Sequence, residues 1–294
     1  MAGTEDHHQQ CFMEVEQGWA VLQHGINKLI NIIEGNDDDK KIHRFSSEEY
    51  MQMGFPYLMA RIVFKLCEPN RRGGNSEVLY DKYHNFLKHY ITSKVLPSLQ
   101  GKKDEALVKE IEQRWSNDKV MTRWLTRFFH FLDRYFVPWR KLPPLEQSTL
   151  LAFYNLVFGE SNHEIKDAVL SLINREREGE GIDQALIRNI VGIYVDVGQG
   201  SMKYYERDFE DDMFKATASF YSTKAPIWLK TESYKDCMLK IECCLKHERD
   251  TVCCYLQSTS HKKLLEIVEY ELMSVHEREL KEKKQTDESD PCIG

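Results

Sequence analysis

Proline and glycine are scarce in this chain. Its 294 residues include only 8 prolines and 15 glycines. Because these residues interrupt helices and form turns, their scarcity favours long helices over a strand-rich fold. No segment sustains the alternation of apolar and polar residues that predicts a β-strand. Apolar residues make up 41% of the sequence and charged residues 30%, a balance typical of a folded globular protein rather than a disordered one.

The chain also lacks a net positive charge and long apolar runs, and each absence argues against a class of partner. The net charge of −7 argues against general nucleic-acid binding, which needs a basic surface. No apolar run is long enough to span a bilayer, and Met1–Gln10 is polar rather than an apolar signal segment. The 8 cysteines do not form a secreted disulfide framework. We therefore expect a soluble protein of the cytoplasm and nucleus, with neither nucleic acid nor membrane as partner.

Apolar side chains recur at helical spacing along the chain. A first helix is predicted to start near Phe12, with Val15, Trp19, Leu22, Ile26, Leu29 and Ile33 on one face. Val120–Phe136 is the most aromatic helical segment, and Leu79–Ile91 and a short segment around Ile111 precede it. Pro138, Pro143 and Pro144 then mark a boundary between two halves. In the second half, helices are predicted at Leu145–Phe158, His163–Glu178, Gln184–Val197, Met202–Lys224, Tyr234–Leu256 and Lys262–Leu280.

Several motifs, in one order along the chain, carry a resemblance to plant cullins, in particular those that bind Skp-type adaptors. They lie in Glu16–Trp19, Leu79–Tyr83, Arg114–Asn117, Lys119–Met121, Arg123–Phe136, Leu142–Leu145, Arg175–Glu180, Tyr205–Glu210, Phe220–Ser222 and Glu248–Asp250. The resemblance implies an all-α fold, an elongated stack of cullin repeats that are each a five-helix bundle. It further implies a flexible N-terminus at 1–11, a first, adaptor-binding repeat at 12–141, a second repeat at 142–280, and a charged flexible tail at 281–294. Nothing in the sequence resembles the family's RING-binding C-terminal domain, so RING recruitment is not expected.

The resemblance also implies a binding site and partners. In this family a Skp-like adaptor, which brings F-box proteins, docks on the second and fifth helices of the first repeat. The chain is thus expected to be a non-catalytic scaffold of an SCF-type E3 ubiquitin ligase, acting in ubiquitin-dependent protein degradation. The positions carried over to this sequence are Tyr50, Met53, Met121, Trp124, Leu125, Phe128, Phe131 and Arg134. Helical apolar stripes usually face a core, but Phe131 and Arg134 are expected to face outward.

The second helix departs from the family pattern. Tyr50 and Met53 begin it suitably, but Gly54 and Pro56 follow, and proline in a helix interior costs about 3 kcal/mol. The segment can re-form as a helix further along, from Tyr57 to Phe64, but in either case half of the expected adaptor surface is altered. The alternative function is therefore a truncated relic paralogue that has lost adaptor binding.

A metal- or thiol-dependent activity is a lesser alternative, and it would use the cluster Cys243–Cys254. On a helix, Cys243 and His247 share a face and could hold a metal ion together. Paired-cysteine turns are absent, and cysteine is also a common buried residue. Gly198 and Gly200 lack the third glycine and the preceding strand of a dinucleotide site. We therefore predict no catalytic residue, no cofactor and no metal.

Overall fold

The described residues form helices joined by turns and short loops. A computed structural model describes residues 2–35, 54–68 and 73–289, with side chains from Val15 to Asp287. No β-strand occurs within these ranges, which confirms the all-α prediction. No helix within them is long and apolar enough to cross a membrane.

Contacts between α-carbons divide the chain into two compact units. Unit 1 comprises Met1–Gln100 and Gln113–Glu160, and unit 2 comprises Gly101–Glu112 and Ser161–Gly294. Two long helices, Asp104–Phe128 and Leu145–Arg177, each contribute residues to both units. The repeat boundary placed at 141 and 142 from the sequence remains a prediction.

Unit 1 is built on the apolar stripe of the first helix. Helix α1 spans Ala2–Glu34 and so starts earlier than the Phe12 start predicted from the sequence. Gly35 follows at φ 69°, a left-handed conformation that suits glycine at a helix end. Of the predicted stripe, Ile33 is half-buried. The remaining members are buried and face the core: Val15, Trp19, Leu22, Ile26 and Leu29.

Two further helices of unit 1 contact α1. Helix α2 spans Phe55–Cys67, and α3 spans Asn75–Tyr90. A π-helical segment, Ile91–Val95, carries α3 into the short helix Leu96–Leu99. The phenol of Tyr83 forms a buried hydrogen bond with the Thr149 hydroxyl (2.6 Å). The predicted buried face of α3 is confirmed at Leu79, Tyr83, Phe86, Leu87, Tyr90 and Ile91.

The aromatic segment is part of a longer helix than the sequence predicted. Helix α4 runs through Asp104–Phe128, so the short helix around Ile111 and the aromatic helix are continuous. Backbone hydrogen bonds from Phe129 to Leu125 (2.9 Å) and from Asp133 to Phe129 (3.1 Å) carry it into the π-helical segment Leu132–Phe136. Pro138 follows in the first turn of the short helical segment Val137–Trp139.

Unit 2 contains the remaining long helices. Helix α5 (Leu145–Arg177) joins two predicted helices, because Gly159 does not interrupt it. The Asp183 carboxylate caps α6 by accepting from the Leu186 N–H (3.2 Å), and the Ser233 hydroxyl caps α8 by accepting from the Asp236 N–H (3.1 Å). These helices are α6 (Gln184–Gly198), α7 (Asp211–Thr231), α8 (Tyr234–Asp250), α9 (Ser258–Glu269) and α10 (Glu277–Ser289). Helix α10 covers most of the segment from 281 that the sequence suggested as a tail.

Candidate functional site

Gly54 and Pro56 lie at the start of a helix and not inside one. Gly54 is the N-cap of α2 at φ 76°, and Pro56 lies in the first turn. Proline is favoured there, because the first N–H groups of a helix have no intrahelical partner to lose. The prediction that Pro56 interrupts a helix interior is therefore wrong. The alternative of a helix re-formed from Tyr57 to Phe64 is confirmed.

The inner face of α2 packs closely against α1. Met59, Val63 and Cys67 are buried, at intervals of one helical turn. Gly18 and Gly25 of α1 lie beneath α2: a Cβ on Gly18 would come 2.5 Å from Leu66, and one on Gly25 would come 2.6 Å from Phe55 and 2.8 Å from Met59. The absence of side chains at these two glycines therefore lets α2 pack close to α1.

The outer face of α2 presents large apolar side chains to solvent. Tyr57 is 73% exposed, Leu58 49% and Phe64 39%. Arg61 and Lys65 are also exposed and lie between and beside them on the same side of the helix. Exposed aromatic residues grouped on one helix face are typical of protein-interaction surfaces, whereas scattered ones are not.

Most of the α4 residues carried over from the family pattern are buried. Met121 is 1% exposed, Trp124 9%, and Leu125 and Phe128 are 0% exposed. The Phe128 ring meets the Phe55 ring edge-to-face, with 5.9 Å between centroids. These four side chains are buried within unit 1, and Phe128 contacts the start of α2 through Phe55. Their direct contact with a partner remains a prediction.

Phe131 and Arg134 lie at the surface, in the orientation expected from the sequence. Phe131 is half-buried, and its ring meets that of Phe64 edge-to-face with 5.2 Å between centroids. On its other side it contacts Tyr135 at 4.7 Å. Arg134 is exposed, and its guanidinium lies 5.6 Å from the centre of the Tyr135 ring. Residues 129–136 continue α4, and we call them the α4 extension. The outer faces of α2 and of the α4 extension thus meet at one aromatic contact. We call the resulting surface, formed by Tyr57, Leu58, Phe64, Phe131 and Tyr135, the aromatic patch.

The surface seen in the structure and the predicted site differ in some of their residues. Tyr50 and Met53 lie outside the described residues. Arg61, Lys65 and Tyr135 were not predicted as site residues. The signal that could have found Arg61 and Lys65 is their position three to four residues from Tyr57 and Phe64, once the helix is shifted past Pro56.

The described cysteines of unit 2 differ in their exposure. Cys243 and Cys254 are exposed, whereas burial raises the pKa of the Cys244 and Cys253 thiols to about 11. A raised thiol pKa disfavours the thiolate, which is the nucleophilic and metal-binding form. Nowhere in the described residues do three His, Cys, Asp or Glu side chains group as metal ligands would.

Comparison with known proteins gives the chain relatives over nearly its whole length. A model of the cullin alpha solenoid domain matches residues 19–290. Cullin-1 of Oryza sativa subsp. japonica is 46% identical over 277 residues, which are 94% of this chain and 36% of that protein. Two relatives from Arabidopsis thaliana are shorter proteins than rice cullin-1. The putative cullin-like protein 2 is 39% identical over 263 residues (89% of this chain, 67% of that protein), and cullin-like protein 3 is 37% identical over 255 residues (87% and 94%).

The match to the family model covers most of the chain and extends through both units. The chain spans only about a third of the length of the rice protein. The name of that protein therefore refers to a polypeptide much longer than this chain. The all-helical architecture agrees with the helical domain that the family model describes. The chain therefore belongs to the cullin family.

Proposed function

We propose that this chain is a non-catalytic scaffold segment that binds a Skp-like adaptor through the aromatic patch. Through that adaptor it reaches F-box proteins, as part of an SCF-type E3 ubiquitin ligase in ubiquitin-dependent protein degradation in the cytoplasm and nucleus. The observation that carries the proposal is the contact between Phe64 and Phe131. It joins two exposed helix faces into one surface, on the two helices that the family resemblance assigns to the adaptor.

The chemistry of the patch supports a protein partner. Large aromatic side chains and arginines contribute most to the binding energy at protein interfaces. Tyr57 and Leu58 are exposed on a helix whose opposite face is buried, an arrangement suited to insertion into an apolar groove. The buried Phe128 ring packs against Phe55 at the start of α2, which helps to hold this helix in place before a partner arrives.

We further propose that these 294 residues bind the adaptor without binding a RING subunit. The family model that matches them is the helical solenoid domain, and it reaches nearly to their end. Mixing the purified chain with a RING subunit tests this directly: the two are expected to elute separately in size-exclusion chromatography. Co-elution would contradict this part of the proposal.

Calorimetric titration with a plant Skp-like adaptor tests the main proposal. We compare the chain with the double variant Phe131→Ala/Arg134→Ala and with a matched control, Tyr270→Ala/Arg278→Ala. The control also removes one exposed aromatic residue and one exposed arginine, but from unit 2. Circular dichroism and thermal unfolding verify that each variant is folded.

The chain and the control are expected to bind the adaptor with the same affinity. The patch variant is expected to bind at least about tenfold more weakly, since truncating a central interface residue costs about 1.4 kcal/mol or more. If the folded chain does not bind the adaptor, the chain is a relic that has lost this function. Equal weakening by both variants would place the site elsewhere.

A further inference from the structure

Exposed positive charge surrounds the aromatic patch, although the chain as a whole is acidic. On α2, Arg61 and Lys65 are exposed. On α4 and its extension, Arg123, Arg127 and Arg134 are exposed, and their spacing of four and seven residues places them on one face of the helix. The net charge of the whole chain is −7, so this concentration of cations is not a result of composition.

These cations have no carboxylate partner among the described residues. Other basic residues of unit 1 do have one: Lys82 pairs with Glu16 at 2.8 Å, and Arg114 pairs with Glu34 at 2.9 Å. Around the patch, by contrast, the guanidinium of Arg127 lies over the Trp124 ring at 4.4 Å, and that of Arg134 lies near the Tyr135 ring. Stacking on an aromatic ring orders the guanidinium but leaves its charge uncompensated.

Within residues 55–68 and 121–136, which carry the patch, the acidic side chains are Asp133 and Glu68. Asp133 is half-buried, and its carboxylate accepts a hydrogen bond from the Leu145 N–H (2.9 Å). Glu68 is exposed, but it lies at the C-terminal end of α2. A patch with unpaired cations around an apolar centre attracts a surface of opposite charge and repels one of like charge.

We propose that the partner surface recognised by the aromatic patch is an apolar groove rimmed by Asp and Glu side chains. The inference rests on the proposed adaptor function and adds to it the charge of the adaptor's contact surface. The aromatic side chains fill the groove, and Arg61, Lys65, Arg123, Arg127 and Arg134 face its acidic rim. Rim charges of this kind act mainly on the association rate and on its dependence on salt.

The test measures the association rate of the chain with a Skp-like adaptor at low and high salt. The charge-reversal variant Arg61→Glu/Arg123→Glu changes one exposed cation on each helix and leaves the aromatic patch intact. The matched control, Lys235→Glu/Lys246→Glu, makes the same change in charge at exposed positions of α8 in unit 2. Stopped-flow fluorescence at about 50 mM and about 500 mM NaCl covers the range over which salt screens such charges.

For the unaltered chain, the association rate constant is expected to fall about tenfold between the two salt concentrations. At low salt the charge-reversal variant is expected to associate at least about tenfold more slowly, and the control within about twofold of the unaltered chain. If the adaptor binds equally fast at both salt concentrations and to the charge-reversal variant, the acidic rim is ruled out while the adaptor function stands. If it binds at neither salt concentration, the proposed function fails, and this inference with it.

Discussion

Asp118 is a fully buried acid in the interior of unit 1. Neither oxygen of its carboxyl has a hydrogen-bond partner among the described residues. Burial raises the pKa of this carboxyl to about 8, because the charged form loses its hydration inside the protein. The hydroxyl of Thr122 and the indole N–H of Trp115, one helical turn away on either side, are likewise buried without a partner. The buried surroundings of Asp118 on this side of α4 therefore favour the neutral form of its carboxyl.

The Asp118 carboxyl is expected to make the folded chain less stable as pH rises. In the unfolded chain it loses its proton near pH 4, but in the folded chain only near pH 8. Below pH 4 both states are protonated. Between pH 4 and pH 8 the folded state holds more protons, so the free energy of unfolding falls by up to about 1.4 kcal/mol per pH unit.

The substitution Asp118→Asn is expected to remove this decline and to leave the variant more stable than the unaltered chain at pH 8, by roughly 2 kcal/mol or more. Urea unfolding followed by tryptophan fluorescence at pH 5 and pH 8 measures both effects. Asp81→Asn, at an exposed position, is the control. An equal loss of stability with pH in all three proteins would contradict the assignment.

Unit 2 contains a buried ion pair between Arg177 and Glu248. The Glu248 carboxylate accepts hydrogen bonds from Arg177 Nε (2.7 Å) and from the Tyr221 phenol (2.6 Å). The side chains of Arg177 and Glu248 are 2% and 0% exposed. The guanidinium also donates to the Thr217 hydroxyl (2.8 Å). The network thus joins α5, α7 and α8, and none of its charge is left without a partner.

The substitution Glu248→Gln is expected to destabilise the chain by about 3–5 kcal/mol, because it leaves the Arg177 charge buried and uncompensated. The control is Glu266→Gln, which removes the acid of an exposed pair with Lys262 (3.5 Å) and is expected to cost about 0.5 kcal/mol or less. Chemical denaturation of both variants gives the comparison. Similar losses in the two variants would show that the buried pair has no special role.

At the scale of single elements, the position of α2 depends on two glycines of α1. A side chain at Gly25 would collide with Phe55 and Met59, so Gly25→Val is expected to push α2 away from α1 and separate Phe64 from Phe131. Adaptor affinity is then expected to fall at least about tenfold, as for truncation of the patch itself.

The control for the α2 displacement is Gly192→Val, since a Cβ at that glycine of α6 would meet no atom within 4 Å. Calorimetric titration with the adaptor, after circular dichroism has verified folding, compares the two variants. Unchanged binding by Gly25→Val would mean that the position of α2 does not matter for the adaptor.

Sequence patterns predicted the helices well and their ends poorly. The apolar spacing of α1 and α3 correctly identified the buried faces, because a helix with a period of 3.6 residues leaves few other arrangements. Gly159 and the prolines were harder to interpret. Gly159 lies inside α5, and Pro226 lies inside α7, where neighbouring turns supply enough hydrogen bonds to continue the helix.

The candidate site was predictable in part. Phe131 and Arg134 were expected to face outward and do so. Met121, Leu125 and Phe128 are buried because the chosen positions fall on two sides of one helix, and a sequence alone does not show which side another helix covers. The shift of the second helix to Phe55–Cys67 depends on Gly54 adopting a left-handed conformation, which no apolar pattern reveals.

At the scale of the whole molecule, the family match extends further than the proposed binding surface. The match to the cullin alpha solenoid domain covers both units, whereas the aromatic patch belongs to unit 1. Under the proposed function, adaptor recognition belongs to unit 1. Partner binding that protected only unit 2 would be incompatible with this assignment.

Hydrogen–deuterium exchange with and without a Skp-like adaptor tests this assignment most directly, because it reports which backbone segments a partner covers. We expect slower exchange in Phe55–Cys67 and between residues 121 and 136 when the adaptor is bound, with Tyr234–Asp250 unchanged. Protection confined to Tyr234–Asp250 and its neighbours, or no protection at an adaptor concentration that saturates binding, would contradict it.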